Sequence, residues 1–125
     1  MRTMLKGGIV PSFLLLAALV CTSSCTTVRH SSPLEGWKGG TTAYEGCPYG
    51  KAIIDDYRNY IEKLPRKERY YVSDFDIRFF EDGTGQHAVQ ISIPLNGVWR
   101  EHVLIYDKDN KRIKVIKYAS GRYAS

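Results

Sequence analysis

The spacing of apolar and polar residues from Cys47 to the C-terminus predicts one helix followed by a series of strands. Apolar side chains recur at helical spacing along one side of residues 48–64, and charged residues occupy the other side. Pro48 suits the first helical position and Pro65 ends the helix before a charged connector at 66–69. The apolar positions are Ile53, Tyr57, Tyr60, Ile61 and Leu64.

The residues after the helix alternate with a period of two, which is typical of half-buried strands. A glycine-containing loop at 83–85 joins the first two strands. The predicted pairs of this hairpin are Phe75–Ile93, Ile77–Ile91 and Phe79–Val89.

The second hairpin turns at Leu95-Asn96-Gly97 and allows two registers. A two-residue Asn-Gly turn would pair Ile93 with Arg100 and so mix apolar and charged residues on one face. A three-residue loop keeps one face apolar, and we therefore favour it, because a slip of one residue moves every side chain to the other face. Its predicted pairs are Ile93–Trp99 and Val89–Val103.

The third hairpin is predicted to turn at Lys108-Asp109-Asn110. Its predicted pairs are Ile105–Ile113, Val103–Val115 and Glu101–Lys117. The sequence therefore predicts an α+β fold, with one helix packed on a four-stranded antiparallel meander and preceded by a signal peptide and flexible tether.

The N-terminal segment is typical of an export signal. A basic start is followed by an apolar run from Ile9 to Val20, which as a helix would span about 18 Å, too short to cross a bilayer. The segment Cys21-Thr22-Ser23-Ser24-Cys25 resembles a bacterial lipobox, in which signal peptidase II cuts before a lipid-modified cysteine. We favour Cys25, because the small Ser24 precedes it, over Cys21; an ordinary secretory peptide with Cys25 free is the alternative.

This resemblance implies a domain organisation and a location. Residues 1–24 are the predicted lipoprotein signal peptide, 25–46 the lipidated cysteine and a flexible linker, and 47–125 a small α+β domain. Thr26 stands where an aspartate retains related lipoproteins in the inner membrane. By analogy, we expect a lipid anchor in the outer membrane, facing the periplasm.

The predicted order of a helix and then a meander is similar to that of PepSY-like and cystatin-like small exported domains. The segment from Ile105 to Ile113 also resembles the closing hairpin of PepSY domains, where an aspartate precedes the turn and a basic residue follows it. The resemblance implies the fold alone, and no functional residue follows from it.

The net charge is +5, and +3 without residues 1–24, which hold Arg2, Lys6 and no acid. We therefore expect no nucleic-acid partner. The positive charge collects from Trp99 onward, where seven basic residues outnumber three acidic ones.

Candidate chemistry is sparse. Cys47-Pro48-Tyr49-Gly50 resembles the Cys-Pro-Tyr-Cys motif of glutaredoxins, but Gly50 replaces the second cysteine. A thiol-dependent redox function of Cys47 is therefore the alternative to a non-enzymatic one. The three histidines show no metal-ligand spacing, and we expect no catalytic set, no metal and no cofactor.

The outer face of the predicted sheet is the candidate binding face, because cations and tyrosines alternate there. We expect it to bind an anionic envelope component or an envelope protein, while the lipid anchor holds the membrane. A purely structural lipoprotein remains the alternative. The candidate residues are Arg78, Gln90, Arg100, His102, Tyr106, Arg112, Lys114 and Tyr118.

Overall fold

The computed structural model describes residues 32–123. The predicted signal peptide and Cys25 lie outside the described residues. In chain order the elements are strand β1 (Lys38–Thr42), helices α1 (Lys51–Glu62) and α2 (Arg66–Arg69), a 3₁₀ turn (Asp74–Asp76), and strands β2 (Ile77–Glu81), β3 (His87–Leu95), β4 (Val98–Tyr106) and β5 (Arg112–Arg122). Among the described residues, no helix is long and apolar enough to cross a membrane.

The five strands form one antiparallel sheet in the order β1-β2-β3-β4-β5. The predicted α+β architecture, with a helix on an antiparallel meander, is confirmed, but the sheet has five strands rather than four. The additional strand β1 comes from residues 25–46, which were predicted to be a flexible linker. Gly39 allows its close approach to β2, because a Cβ atom at this position would collide with the carbonyl oxygen of Phe79.

Helix α1 buries the apolar stripe that the sequence predicts. Ile53, Tyr57 and Ile61 are buried in the main core, against the sheet. The helix begins at Lys51, three residues later than predicted, because Gly50 has a backbone φ of 96° and so interrupts the helical conformation.

The hairpin of β2 and β3 has the predicted register. Ile77 lies opposite Ile91 and Phe79 opposite Val89. Phe75 does not pair with Ile93 as predicted. It lies in the 3₁₀ turn with 58% of its surface exposed, where its ring stacks on that of Tyr44 at 4.2 Å.

The predicted three-residue loop of the second hairpin is wrong. Asn96 and Gly97 form a two-residue turn, and Leu95 pairs with Val98. Both turn residues have positive φ, 55° and 79°, a backbone conformation that matches the twist of the flanking strands. Ile93 therefore lies opposite Arg100, the arrangement that we had rejected.

The third hairpin combines a correct pair with a wrong register beyond it. Tyr106 lies opposite Arg112, as predicted. Next to this pair, β5 contains one extra residue that has no partner in β4. This β-bulge shifts the pairs that follow by one residue. The observed pairs are Ile105–Lys114, Leu104–Val115, Val103–Ile116 and Glu101–Tyr118, in place of the predicted Ile105–Ile113, Val103–Val115 and Glu101–Lys117.

Both faces of the sheet carry buried apolar residues. The main core lies between α1 and one face, and it contains Ile91 and Leu104. A second, smaller core covers the other face, where Leu34 is buried with Ala88, Val103 and Ile105. The assumption of a single apolar face is therefore wrong, and it is the reason for the wrong turn at residues 95–97.

Candidate functional site

The eight residues predicted to share one binding face are divided between the two faces of the sheet. The outer face, opposite α1, carries Arg78, Gln90, Lys114 and Tyr118, and the helix face carries Arg100, His102, Tyr106 and Arg112. The division follows from the two-residue turn, which reverses the facing of every β4 side chain relative to the predicted register. The predicted registers imply a cross-strand row of Arg78, Gln90 and His102, which is half correct. Arg78 lies opposite Gln90, but Gln90 lies opposite Val103 rather than His102.

Two of these residues are buried rather than solvent-exposed. Tyr106 is fully buried, and His102 is 5% exposed. Their predicted exposure is wrong, whereas that of Arg100 is confirmed. The predicted burial of Val103 and Ile105 is also confirmed, although they face the second core, and Trp99 is only half-buried.

Tyr106 connects the helix to the sheet through a carboxylate. Its hydroxyl donates to Oδ2 of Asp56 over 2.6 Å, and Nε of Arg112 lies 3.0 Å from the same oxygen. The guanidinium of Arg112 also lies over the ring of Tyr60, 5.3 Å from its centre. Burial raises the pKa of Tyr106, as does its hydrogen bond to Asp56, so this hydroxyl stays protonated and holds α1 on β4.

His102 lies between one group from each helix. Its Nδ1 is 2.7 Å from the Tyr60 hydroxyl, and its Nε2 is 3.4 Å from Oε1 of Glu68. Burial lowers the pKa of His102, and this effect outweighs the opposing influence of Glu68. A neutral ring satisfies both neighbours when Nε2 carries the proton and faces Glu68, while Nδ1 accepts the hydrogen bond of Tyr60.

A pocket opens beside His102, between the α1–α2 connection and strands β4 and β5. Its volume is about 420 Å³. Its lining combines the apolar Leu64 and Pro65 with the side chains of Arg100 and Lys117. The three-residue loop predicted from the sequence places His102 on the outer face and so leaves no such pocket. The Asn-Gly dipeptide at 96–97 is the signal that could have revealed it, because this dipeptide favours a two-residue turn and so places His102 on the helix face.

A second buried ionisable group, Glu101, lies on the outer face and is 5% exposed. Both of its carboxylate oxygens accept hydrogen bonds from side chains of the neighbouring strands. The donors are the hydroxyls of Ser92 and Ser120 and the amide of Gln90, the last at 3.0 Å. Because these donors occupy both oxygens, the carboxylate ties β3, β4 and β5 together.

Strand β5 forms one edge of the sheet and is its longest strand. It pairs only with β4, so one row of its backbone donors and acceptors has no partner strand in the described sheet. Ile113 and Val115 are 54% and 36% exposed. The charged residues of the strand are all basic: Arg112, Lys114, Lys117 and Arg122.

Cys47 lies before α1 and packs, half-buried, against the main core. Three residues separate it from Lys51, so the thiol does not occupy the first turn of the helix, where the backbone N–H groups would activate it. Within residues 32–123, no group of three His, Cys, Asp or Glu side chains lies close enough to hold a metal ion.

Comparison with known proteins identifies no relative: no family model, no curated protein and no solved structure matches this chain.

Proposed function

We propose that this protein is a non-enzymatic, lipid-anchored protein of the bacterial envelope, and that it binds an acidic, extended segment of another envelope protein along strand β5. The observation that carries the proposal is the combination of an open edge, basic side chains and exposed apolar residues on this strand. The opposite edge strand, β1, has five residues, against eleven in β5, and so offers a shorter template.

The backbone of β5 supports strand addition. An extended peptide that aligns with an open edge satisfies its own N–H and C=O groups against those of the strand. Ile113 and Val115 supply apolar contacts for alternate side chains of such a peptide. These residues also lie beside Arg112 and Lys114 in a shallow depression, so apolar and charged contacts are available together.

The positive charge of β5 favours one kind of strand as its partner at the open edge. In a pair formed by two copies of β5, the basic side chains would face basic side chains, and like charges directly opposite each other are destabilising. An acidic strand would instead place carboxylates opposite these cations. Complementary charge therefore favours an acidic partner over a second copy of this chain.

The predicted lipid at Cys25 complements this arrangement. An anchor that holds the chain at a membrane surface raises the local concentration of the domain near other membrane-bound proteins. A thiol-dependent function has less support, because Cys47 packs against the core before the helix begins.

A binding experiment with defined peptides tests the proposal. The full-length protein is titrated with a ten-residue peptide of alternating glutamate and valine, and contacts between its backbone and the β5 amides are measured by NMR. We expect saturable binding that weakens as salt is raised from about 50 mM to about 500 mM. A peptide of equal charge in which prolines replace alternate valines is the control, because proline cannot donate to the strand ladder.

Two sets of variants connect the binding to β5. Lys114→Glu with Arg122→Glu should weaken binding about tenfold, because two favourable surface charges are reversed. Lys63→Glu with Lys67→Glu changes the net charge equally at exposed positions outside β5 and should have little effect. Equal binding of the proline-containing peptide, or equal loss in both double variants, would overturn strand addition and leave non-specific charge attraction or a purely structural role.

A further inference from the structure

On the helix face, the pocket beside His102 is bordered by two cationic side chains and one carboxylate. Within residues 32–123, neither Arg100 nor Lys117 forms an ion pair, whereas Glu68 is engaged with His102. Glu101 also belongs to the lining, but its carboxylate lies on the outer face and accepts hydrogen bonds from Gln90, Ser92 and Ser120. With His102 neutral, the charged side chains on the helix face are therefore two cations and Glu68, which leaves one uncompensated positive charge there. Such a charge next to a concave surface attracts a small anion.

The lining also contains apolar side chains. Leu64 is buried and begins the turn that Pro65 continues into α2, while Ala119 of β5 provides a small side chain at the opposite wall. The volume of about 420 Å³ lies within the range of small-molecule sites. The pocket therefore combines an anion-attracting side with an apolar side.

We propose that this pocket binds a small monocarboxylate that carries a compact apolar body, such as an aromatic ring. Arg100 offers a planar pair of donors that matches a carboxylate, and Lys117 adds a second positive charge. The apolar body lies against Leu64, Pro65 and Ala119. The site lies on the helix face and shares Lys117 with the basic edge of β5, but it uses neither Lys114 nor Arg122, the residues that test strand addition.

Glu68 limits the charge of the ligand. Because its carboxylate belongs to the lining, it repels a ligand with two negative charges more strongly than a ligand with one. The single uncompensated positive charge likewise matches one negative charge. These two features favour a carboxylate over a phosphate monoester.

His102 makes the binding sensitive to pH. The charged and titratable groups that face its ring are Tyr60 from α1, Glu68 from α2, Lys117 from β5 and Arg100 from β4. Glu101, the next residue towards the N-terminus, also influences the pKa of His102, although its carboxylate lies on the other face of the sheet. A bound carboxylate offsets the two cations and so raises the pKa of His102. By linkage, the protonated form binds the ligand more tightly, and affinity should increase as the pH falls through the pKa of His102.

The test uses benzoate and its uncharged analogue benzamide. Binding to the full-length protein in detergent micelles is followed through the His102 ring resonances, with free ligand measured by equilibrium dialysis. We expect saturable binding of benzoate, weaker binding of benzamide and of inorganic phosphate, and an upward shift of the His102 pKa with benzoate. Affinity should also rise between about pH 7 and pH 5.5.

Variants identify the residues responsible. Arg100→Gln and Lys117→Gln should each weaken benzoate binding about tenfold. Lys114→Gln is the control: Lys114 lies on β5, as Lys117 does, but on the outer face, so this variant should leave benzoate binding unchanged. A non-saturable response, equal binding of benzamide, or equal losses in all three variants would overturn the proposal. Tighter binding of phosphate than of benzoate would overturn the assignment to a monocarboxylate. Because the peptide experiment depends on Lys114 and Arg122, either proposal can fail while the other stands.

Discussion

At the scale of single residues, His102 shows that the register of a hairpin determines whether a side chain is exposed or buried. The alternation of the strand predicts a solvated histidine, yet the ring is 5% exposed and lies between Tyr60 and Glu68. Removing an imidazole from water disfavours its charged form, and this is the main reason that its pKa lies below the ordinary 6.5. The burial of His102 therefore has a consequence for stability.

The free energy of unfolding should depend on pH through His102. Because the pKa of His102 is lower in the folded state, the unfolded chain binds more protons in the window just below pH 6.5. The stabilising effect is complete above pH 6.5, and it is lost as the pH falls from there towards the folded pKa. Denaturant titrations of the full-length protein between about pH 7 and pH 5 measure this slope.

Comparison with two variants isolates the contribution of His102. His102→Gln keeps a polar side chain but does not titrate, so the slope should become shallower in this variant. His30→Gln removes a histidine that lies outside the described residues, and it should keep the wild-type slope. Identical slopes in wild type and His102→Gln would contradict the prediction.

At the scale of elements, the sequence was most informative where a single physical rule applies. The stripe of Ile53, Tyr57 and Ile61 follows from helical spacing alone, and the pairing of Ile77 with Ile91 follows from a loop that two glycines define. These predictions needed no knowledge of the rest of the molecule, and they are confirmed.

The register of β4 depended on information that lies elsewhere in the chain. We chose the three-residue loop because only one face of the sheet was assumed to be buried. Leu34 and Trp37 pack on the other face, so apolar residues are required on both sides of β4. The local preference of Asn96-Gly97 for a two-residue turn was the better guide. The bulge in β5, after which Lys117 lies opposite His102, had no local signal of comparable strength.

The packing of Leu34 predicts that its segment contributes to stability. Leu34 is 6% exposed in the second core, so Leu34→Ala should lower the free energy of unfolding by about 2–4 kcal/mol through lost burial and a cavity. Glu35→Ala, at the exposed neighbouring position, should change it by no more than about 0.5 kcal/mol. Equal effects of the two substitutions in chemical denaturation would show that this segment does not pack as described.

At the scale of the whole molecule, the sheet has α1 on one face and the Leu34 segment on the other, and β5 lies at an edge. We propose the basic edge, rather than the outer face that the alternation favoured, as the surface for recognition. The access of such a binding module to its partner would depend on its position in the envelope. Its position depends on the predicted anchor.

We expect Cys25 to carry that anchor. Ser24 immediately before it is small, as signal peptidase II requires, whereas Val20 precedes Cys21. Metabolic labelling with a palmitate analogue should label the wild type and Cys21→Ser but not Cys25→Ser, which should also retain its uncleaved N-terminus. Since two or more acyl chains make membrane attachment effectively stable, the wild type should remain in the membrane fraction after a high-salt wash. Labelling and normal maturation of Cys25→Ser would assign the lipid elsewhere, and retention of label on Cys47→Ser as a third variant would show that Cys47 is not its site.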